Sequence, residues 1–142
     1  MFGKSTQSAK VYTGKAAYDA WADSLLCNEE FINDESLIGP LDTYGSCVVL
    51  TGTNMHYMQE FLTRAKTFCP DIADHIALLQ AKFARMREEF NKLTEMQGGF
   101  FFDADRRALL DRSFRERLSA QVRVVGELYD EAVRIKLNIN IK

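Results

Sequence analysis

The chain lacks the features that mark several large classes of protein. Its 142 residues contain no apolar run that approaches the length of a membrane-spanning helix, and residues 1–13 include no apolar stretch long enough for a secretory signal. The three cysteines, Cys27, Cys47 and Cys69, are widely spaced and form no CxxC pair, which argues against a disulfide framework. We therefore expect a soluble cytoplasmic protein with reduced thiols.

An excess of charge of either sign is also lacking. The chain has 18 lysines and arginines against 20 aspartates and glutamates, so its net charge is only -2 at pH 7. This balance argues against a disordered acidic tail and against a general nucleic-acid-binding surface. With 46% apolar residues, the chain can bury one core. We predict a single helical domain, residues 1–142, in which residues 1–14 form a loose N-terminal arm.

No specific motif for catalysis, cofactor binding or metal binding is present. Adjacent carboxylates such as Glu88 and Glu89 diverge on a helix instead of converging in a pocket. Thiol and imidazole groups, the usual zinc ligands, alternate along the chain without the short spacing of paired ligands, at Cys47, His56, Cys69 and His75. The sequence favours a non-enzymatic protein, and we predict no catalytic residue, no cofactor and no metal. Whether those four side chains converge stays open.

The chain does contain a strict apolar heptad in its second half. Apolar residues follow one another at alternating four- and three-residue steps, at Ile72, Ile76, Leu79, Phe83, Met86, Phe90 and Leu93. This spacing predicts a helix, residues 71–96, whose seam lies along another helix. Gly98 and Gly99 are expected to end it.

A fourth helix is predicted after Asp103, its expected N-cap, and should extend to about Leu137. Its inner stripe is looser than the heptad before it and consists of Phe114, Leu118, Val122, Val125, Leu128, Ala132 and Ile135. Gly126 interrupts this helix, which indicates the close approach of a neighbour or a bend. Together the third and fourth helices are predicted to form a long antiparallel hairpin, residues 71–137.

Two shorter helices are predicted in the first half of the chain. Residues 15–32 place Tyr18, Trp21 and Leu25 at helical spacing, which indicates an amphipathic first helix. A second helix is expected to begin at Thr53 or Asn54 and to end at Phe68 or Cys69. Its predicted inner stripe is Met55, Met58, Leu62, Ala65 and Phe68.

Glycines and Pro40 punctuate residues 33–53, and this pattern predicts an irregular segment in place of a continuous helix. Within it, residues 47–50 form a short β-prone run that could pair with the alternating residues 137–141. The predicted fold is therefore mainly α, an irregular four-helix bundle built on the long antiparallel hairpin. A small two-stranded β element is left open.

Three consecutive aromatic residues are predicted at the tip of the hairpin, at Phe100, Phe101 and Phe102. In a helix or a strand at least one of them would face outward, and exposed aromatic rings commonly mark a contact surface. Alternatively, the loop folds back and all three rings cap the end of the helices. The sequence leaves both arrangements open.

Arginines are concentrated just after this tip, at Arg106, Arg107, Arg112, Arg115 and Arg117. Acidic residues interleave with them at favourable four-residue spacings, as in Arg112 and Glu116, which favours a solvated, internally paired helix face over a nucleic-acid footprint. We do not expect nucleic acid as a partner. The predicted protein-contact residues are Phe100, Phe101, Phe102, Arg106 and Arg107.

The favoured function is a helical protein-interaction module that serves as an adaptor, secretion-type chaperone, regulator or assembly subunit. The apolar stripes of the third and fourth helices do not match step for step, which predicts leftover apolar surface for a second copy or a partner helix to cover. We therefore expect a protein partner, a homo-oligomer or both, without membrane insertion. A component of a phage or mobile element is a further possibility that composition does not test.

The alternative function is a small-molecule-binding or catalytic helical bundle, since bundles host sites between their helices. The pocket would lie between the first two helices and the irregular segment, lined by Trp21, Tyr44, His56, Tyr57 and Met58. A closed apolar cavity among these side chains would favour this alternative, and a filled core would count against it.

Overall fold

The computed structural model describes residues 10–100, 102 and 105–137 of the chain. Within these ranges the protein is mainly helical, as predicted, and contains no β-strand. The α-helices are α1, Lys15–Ser24; α2, Ile38–Phe68; α3, Ala73–Met96; and α4, Arg112–Leu137. Short 3-10 turns occupy Asn28–Glu30, Glu35–Leu37, Pro70–Ile72 and Arg106–Leu110. None of the described helices combines the length and the hydropathy that crossing a membrane requires.

Helix α3 packs against both α2 and α4, and α1 packs against α4. Polar contacts show that α3 and α4 run in opposite directions. Near one end of the pair, Lys82 Nζ lies 2.6 Å from Glu131 Oε2. Further along α3, Gln121 Nε2 of α4 donates to the Glu89 carbonyl at 2.8 Å.

The heptad of α3 forms the centre of the core. Its members from Ile76 to Leu93 are all buried, and Ile72 is half-buried. On α4 the predicted stripe is buried from Leu118 to Ala132, with partly buried residues at each end. Each buried Leu, Val or Phe side chain contributes about 1.5–3 kcal/mol. These stripes are thus covered within one chain, and the expected leftover apolar surface is not on them.

The prediction of an irregular segment over residues 33–53 is wrong from residue 38 onward, because α2 runs without interruption for 31 residues through Pro40 and three glycines. Pro40 is the third residue of the helix, where the missing amide would have no intrahelical partner. A Cβ at Gly52 would lie 2.7 Å from the Phe100 ring and 3.2 Å from the Phe90 ring, so the glycine permits close packing. Burial of Tyr44 and Val48 outweighs the weak helix propensity.

This helix overturns three further predictions. Residues 47–50 are helical and form no strand, and Thr53 and Asn54 lie within the helix instead of capping it. In the predicted inner stripe, Met58 and Phe68 are exposed, although Met55 and Leu62 are buried as expected. Asp103 and residues 138–141, with the proposed partner strand, lie outside the described residues.

Two helix boundaries also differ from those predicted. Helix α1 ends at Ser24, whose Oγ donates to the Trp21 carbonyl at 2.7 Å, well before residue 32. Helix α4 begins at Arg112, where the Asp111 carboxylate accepts the Ser113 amide at 3.0 Å. With 26 and 24 residues, α4 and α3 are nearly equal in length. The predicted end of α3 is confirmed, since Gly98 follows it with a φ of 79°.

Gly126 marks the close approach of α1 to α4. A Cβ at this position would lie 2.7 Å from the Cβ of Tyr18. Two side chains cannot occupy that space, so the sequence-based expectation of a close neighbour is confirmed. The same contact keeps the short α1 against the longer helix, beside the hydrogen bond from Ser119 Oγ to the Ala22 carbonyl at 2.8 Å.

Candidate protein-interaction surface

The two aromatic residues that the structure describes at the tip of the hairpin, Phe100 and Phe102, lie in different environments. Phe102 is partly buried, with its ring edge-on to Tyr44 at 5.9 Å and to Phe114 at 6.4 Å between centroids. Phe100 remains exposed over about a third of its surface and meets the Phe90 ring at 6.5 Å. Phe101 lies outside the described residues. Phe102 therefore packs at the end of the core, and Phe100 is the more exposed of the two aromatic residues that the structure describes at the tip.

Arg106 and Arg107 lie in the 3-10 turn before α4 and are exposed. The Arg107 guanidinium contacts the Asp34 carboxylate, with Nη2 and Oδ2 2.8 Å apart. The pair joins this turn to the segment between α1 and α2. An exposed ion pair of this kind contributes only about 0–1 kcal/mol, so it positions the turn more than it stabilises the fold.

Arg115 does not lie on a solvated face, which corrects the prediction of a paired basic surface there. Its side chain is 2% exposed, and the guanidinium lies 4.5 Å from the centre of the Phe31 ring. Nε donates to the Leu25 carbonyl at 2.9 Å, and Nη1 donates to the Leu109 carbonyl at 2.7 Å. Nη2 donates to Asn28 Oδ1 at 2.6 Å.

Arg115 is therefore a structural tie between α1, the 3-10 turns and α4. Burial lowers the pKa of its guanidinium, opposed by the nearby carboxylates of Asp111 and Glu116. Because an arginine stays protonated over the physiological range, this site is a buried cation whose charge is satisfied mainly by carbonyl oxygens. The neighbouring Arg112 does pair as predicted, with Glu116 Oε1 at 2.9 Å.

The five side chains proposed to line a small-molecule pocket lie in different environments. Trp21 and Tyr44 are buried in the core, edge-on at 5.6 Å between ring centroids. Tyr57 and Met58 are exposed on α2, and His56 lines a separate hollow of about 180 Å³ with Arg87 and Phe100. The structure therefore brings the first two residues together and leaves the other three on the surface.

Trp21 also lines an open cleft of about 410 Å³ between α1, α2 and α4. Tyr18, Tyr129 and Leu50 form other parts of its wall. Burial raises the pKa of Tyr18 to about 12, with a smaller contribution from Tyr129, against a hydrogen bond with Thr51 that lowers it. The Trp21 indole nitrogen is buried with no hydrogen-bond partner among the described residues.

The alternating thiols and imidazoles do not form a metal site in the described part of the chain, where no cluster of three or more metal-binding side chains occurs. Cys47 is half-buried, and burial raises the pKa of its thiol. His56, Cys69 and His75 are exposed. Cys69 follows the last residue of α2 and is accessible to solvent.

Among the described residues, four large and exposed apolar side chains form a line along α2 that the sequence analysis did not identify. The exposed fraction of each is large: Leu50 63%, Tyr57 63%, Phe61 65% and Phe68 81%. Steps of seven, four and seven residues place them within about 40° of one another around the helix. We refer to these four residues as the α2 stripe.

The α2 stripe lies on the side of the helix away from the core. At about 100° per residue, the buried residues Tyr44, Val48, Met55 and Leu62 point roughly 140° away from it. The signal was present in the sequence, but it required reading residues 38–68 as one helix. With an irregular segment assumed up to residue 53, Leu50 belonged to a strand and the repeat was lost.

Leu50 lies between two surface hollows and lines both of them. One is the cleft beside Trp21, and the other is a hollow of about 580 Å³ whose wall includes Leu41, Val49 and Phe102. The exposed α2 stripe and these two hollows meet at Leu50, whereas the Phe100 ring packs on another side of α2, next to Gly52 and Phe90. A comparison with known protein families, characterised proteins and solved structures found no significant match to the chain.

Proposed function

We propose that this chain is a non-enzymatic helical module that acts by protein contact and associates with itself, as an adaptor, chaperone, regulator or assembly subunit. The observation that carries the proposal is the α2 stripe. We also interpret the four helices as an irregular bundle built on the α3–α4 hairpin, in which α2 is the outer helix. This arrangement would leave the heptad-like face of α2 available for a coiled-coil contact.

The area of the stripe supports this proposal. Large apolar and aromatic side chains each bury on the order of 150–250 Å², so exposed fractions near two thirds leave roughly 500 Å² on four residues. A symmetric contact counts this area twice, giving about 1,000 Å², the lower limit for a specific interface. A patch of this size on a lone chain is at the upper end of what monomers expose.

Sedimentation equilibrium over a wide concentration range tests the proposal. We expect the mass to rise from 16.2 kDa towards twice that value as concentration increases. Phe61→Glu should weaken association by about 100-fold or more, because it removes two buried rings per dimer and leaves two carboxylates unpaired. Circular dichroism would confirm that the variant retains its helices.

Ile38→Glu is the matched control. Ile38 lies on the same helix and is 64% exposed, but it points away from the α2 stripe. Its replacement should leave the association constant within about twofold of the original, as expected for a surface change outside the contact. A wild-type chain that stays monomeric at every concentration, or equal losses in the two variants, would contradict the proposal.

One observation favours the alternative function of small-molecule binding. Trp21 lines the 410 Å³ cleft, and its buried indole N–H has no hydrogen-bond acceptor among the described residues. As Trp21 is the only tryptophan, its fluorescence reports on this cleft directly. Saturable quenching by a naphthalene sulfonate dye, unchanged in Phe61→Glu, would support a ligand site separate from the α2 stripe. Quenching that does not saturate would count against it.

A further inference from the structure

We propose that two copies of this chain pair antiparallel along α2, about a two-fold axis that passes in front of the α2 stripe at the level of residue 59. Leu50 of each copy then packs against Phe68 of the other, and Tyr57 packs against Phe61. The inference rests on the proposed self-association and adds its orientation and register. Both follow from the order of side chains along the α2 stripe.

The register follows from the spacing. The line along α2 contains residues 50, 54, 57, 61, 64 and 68, which alternate by four and three like the seam of a coiled coil. When Tyr57 faces Phe61 of an antiparallel second copy, Leu50 faces Phe68 and the same contacts recur on the other side of the axis. Every apolar member of the stripe then meets an apolar partner, as a self-complementary two-fold contact requires.

The polar members of the line favour the antiparallel orientation. In this register Asn54 faces Arg64 of the second copy, so the amide oxygen can accept a hydrogen bond from the guanidinium. Both residues are exposed in the single chain. A parallel pair would instead bring the two Arg64 side chains together, and like charges facing each other are destabilising. A polar layer of this kind commonly fixes the register of a helix pair.

The shape of the surface is consistent with the same contact. Phe68 is the most exposed ring of the stripe and projects from the last residue of α2. Leu50 stands between hollows of about 580 Å³ and 410 Å³. A Phe68 ring placed beside Leu50 has room in either hollow, so the contact needs no movement of the helices. Each copy has both the projecting Phe68 ring and the hollows beside Leu50, so a dimer contains two equivalent contacts of this kind.

Disulfide trapping tests the orientation with a thiol that the chain already carries. Cys69 is exposed next to Phe68, and a Leu50→Cys thiol would lie almost opposite Cys69 of the second copy. Within one chain the two positions are about 28 Å apart along the helix, so this disulfide forms only between copies. The background is Cys47→Ser, which removes the thiol one turn away from residue 50.

We expect mild oxidation to give a covalent dimer in which peptide mapping finds position 50 joined to Cys69. Ile38→Cys in the same background is the matched control, and it should give less than a tenth as much dimer through position 38. A dimer in solution that yields links joining like positions, Cys69 to Cys69 or 50 to 50, would overturn the antiparallel register but leave self-association standing. A chain that sediments as a monomer would overturn both proposals.

Discussion

At the scale of single residues, the buried Arg115 links the end of α1 to α4 through hydrogen bonds that the sequence does not predict. Arg115→Met should lower the free energy of unfolding by about 3 kcal/mol or more, because it leaves the buried carbonyls of Leu25 and Leu109 and the partly buried carbonyl of Leu110 without this donor. Urea unfolding measures the difference. Arg117→Met, two residues along the same helix and exposed, is the control and should cost less than about 1 kcal/mol. Equal costs would show that the buried hydrogen bonds contribute nothing.

Burial of tyrosine hydroxyls makes the fold sensitive to alkali. The pKa of Tyr18 is raised to about 12 and that of Tyr44 is raised further, in both cases mainly by burial. The unfolded chain therefore loses these protons at lower pH than the folded one. Each neutral hydroxyl makes its full contribution to the free energy of unfolding below pH ~10. This contribution falls by up to about 1.4 kcal/mol per pH unit as the pH rises towards 12.

Tyr18→Phe should flatten this part of the stability profile. Urea unfolding at pH 8, 10 and 11.5 measures it, with absorbance at 295 nm to follow ionisation. Tyr12→Phe, at an exposed position before α1 and outside the α2 stripe, is the control and should keep the slope of the original chain. An unchanged slope in Tyr18→Phe would contradict the assignment of the loss to this hydroxyl.

At the scale of the helices, two glycines should respond in opposite ways to the same substitution. A Cβ at Gly45 in α2 meets nothing within 4 Å, so Gly45→Ala should stabilise the fold by about 0.5–1 kcal/mol through helix propensity. A Cβ at Gly126 in α4 would lie 2.7 Å from Tyr18 Cβ, so Gly126→Ala should destabilise by about 1–3 kcal/mol. Thermal unfolding compares them, and shifts of the same sign would refute the packing argument.

The helices also show how far the sequence predicted this fold. The α3 heptad identified both a helix and its buried face, because an unbroken repeat from Ile76 to Leu93 has only one explanation. Helix α2 was missed in part because its glycines and Pro40 have a weak helix propensity, which burial of Tyr44 and Val48 overcomes. Periodicity also fails where a helix is apolar on two sides, since it cannot tell which side faces the core.

The candidate site was less predictable than the fold. Phe100 was named from the sequence and is partly exposed, but the α2 stripe depends on which face of α2 meets α3. The burial of Arg115 was not predicted because its guanidinium donates mainly to main-chain carbonyls. Every residue has such a carbonyl, so the sequence does not show which of them will accept a hydrogen bond. The four-residue spacing between Asp111 and Arg115 suggested an exposed ion pair, but the Arg115 side chain is buried instead.

At the scale of the whole molecule, the buried core and the exposed α2 stripe occupy different faces. The α3 and α4 stripes are covered within the chain, whereas α2 carries buried residues on one side and the exposed stripe on the other. Changes to the stripe should therefore alter association with little effect on folding. We therefore expect that an exposed aromatic residue such as Phe61 can be replaced without loss of the helices.

The charge beside the α2 stripe gives a final test at this scale. Glu60 is exposed at the edge of the stripe, one residue from the proposed axis, so an antiparallel pair brings the Glu60 carboxylates of the two copies towards each other across the seam. Glu60→Gln should tighten association by about two- to fivefold at low salt, in line with the size of exposed charge effects, and added salt should reduce the difference. Glu88→Gln, an exposed change on α3, is the control for net charge. In a parallel pair the two carboxylates would lie on opposite sides of the seam, and Glu60→Gln would then behave like the control.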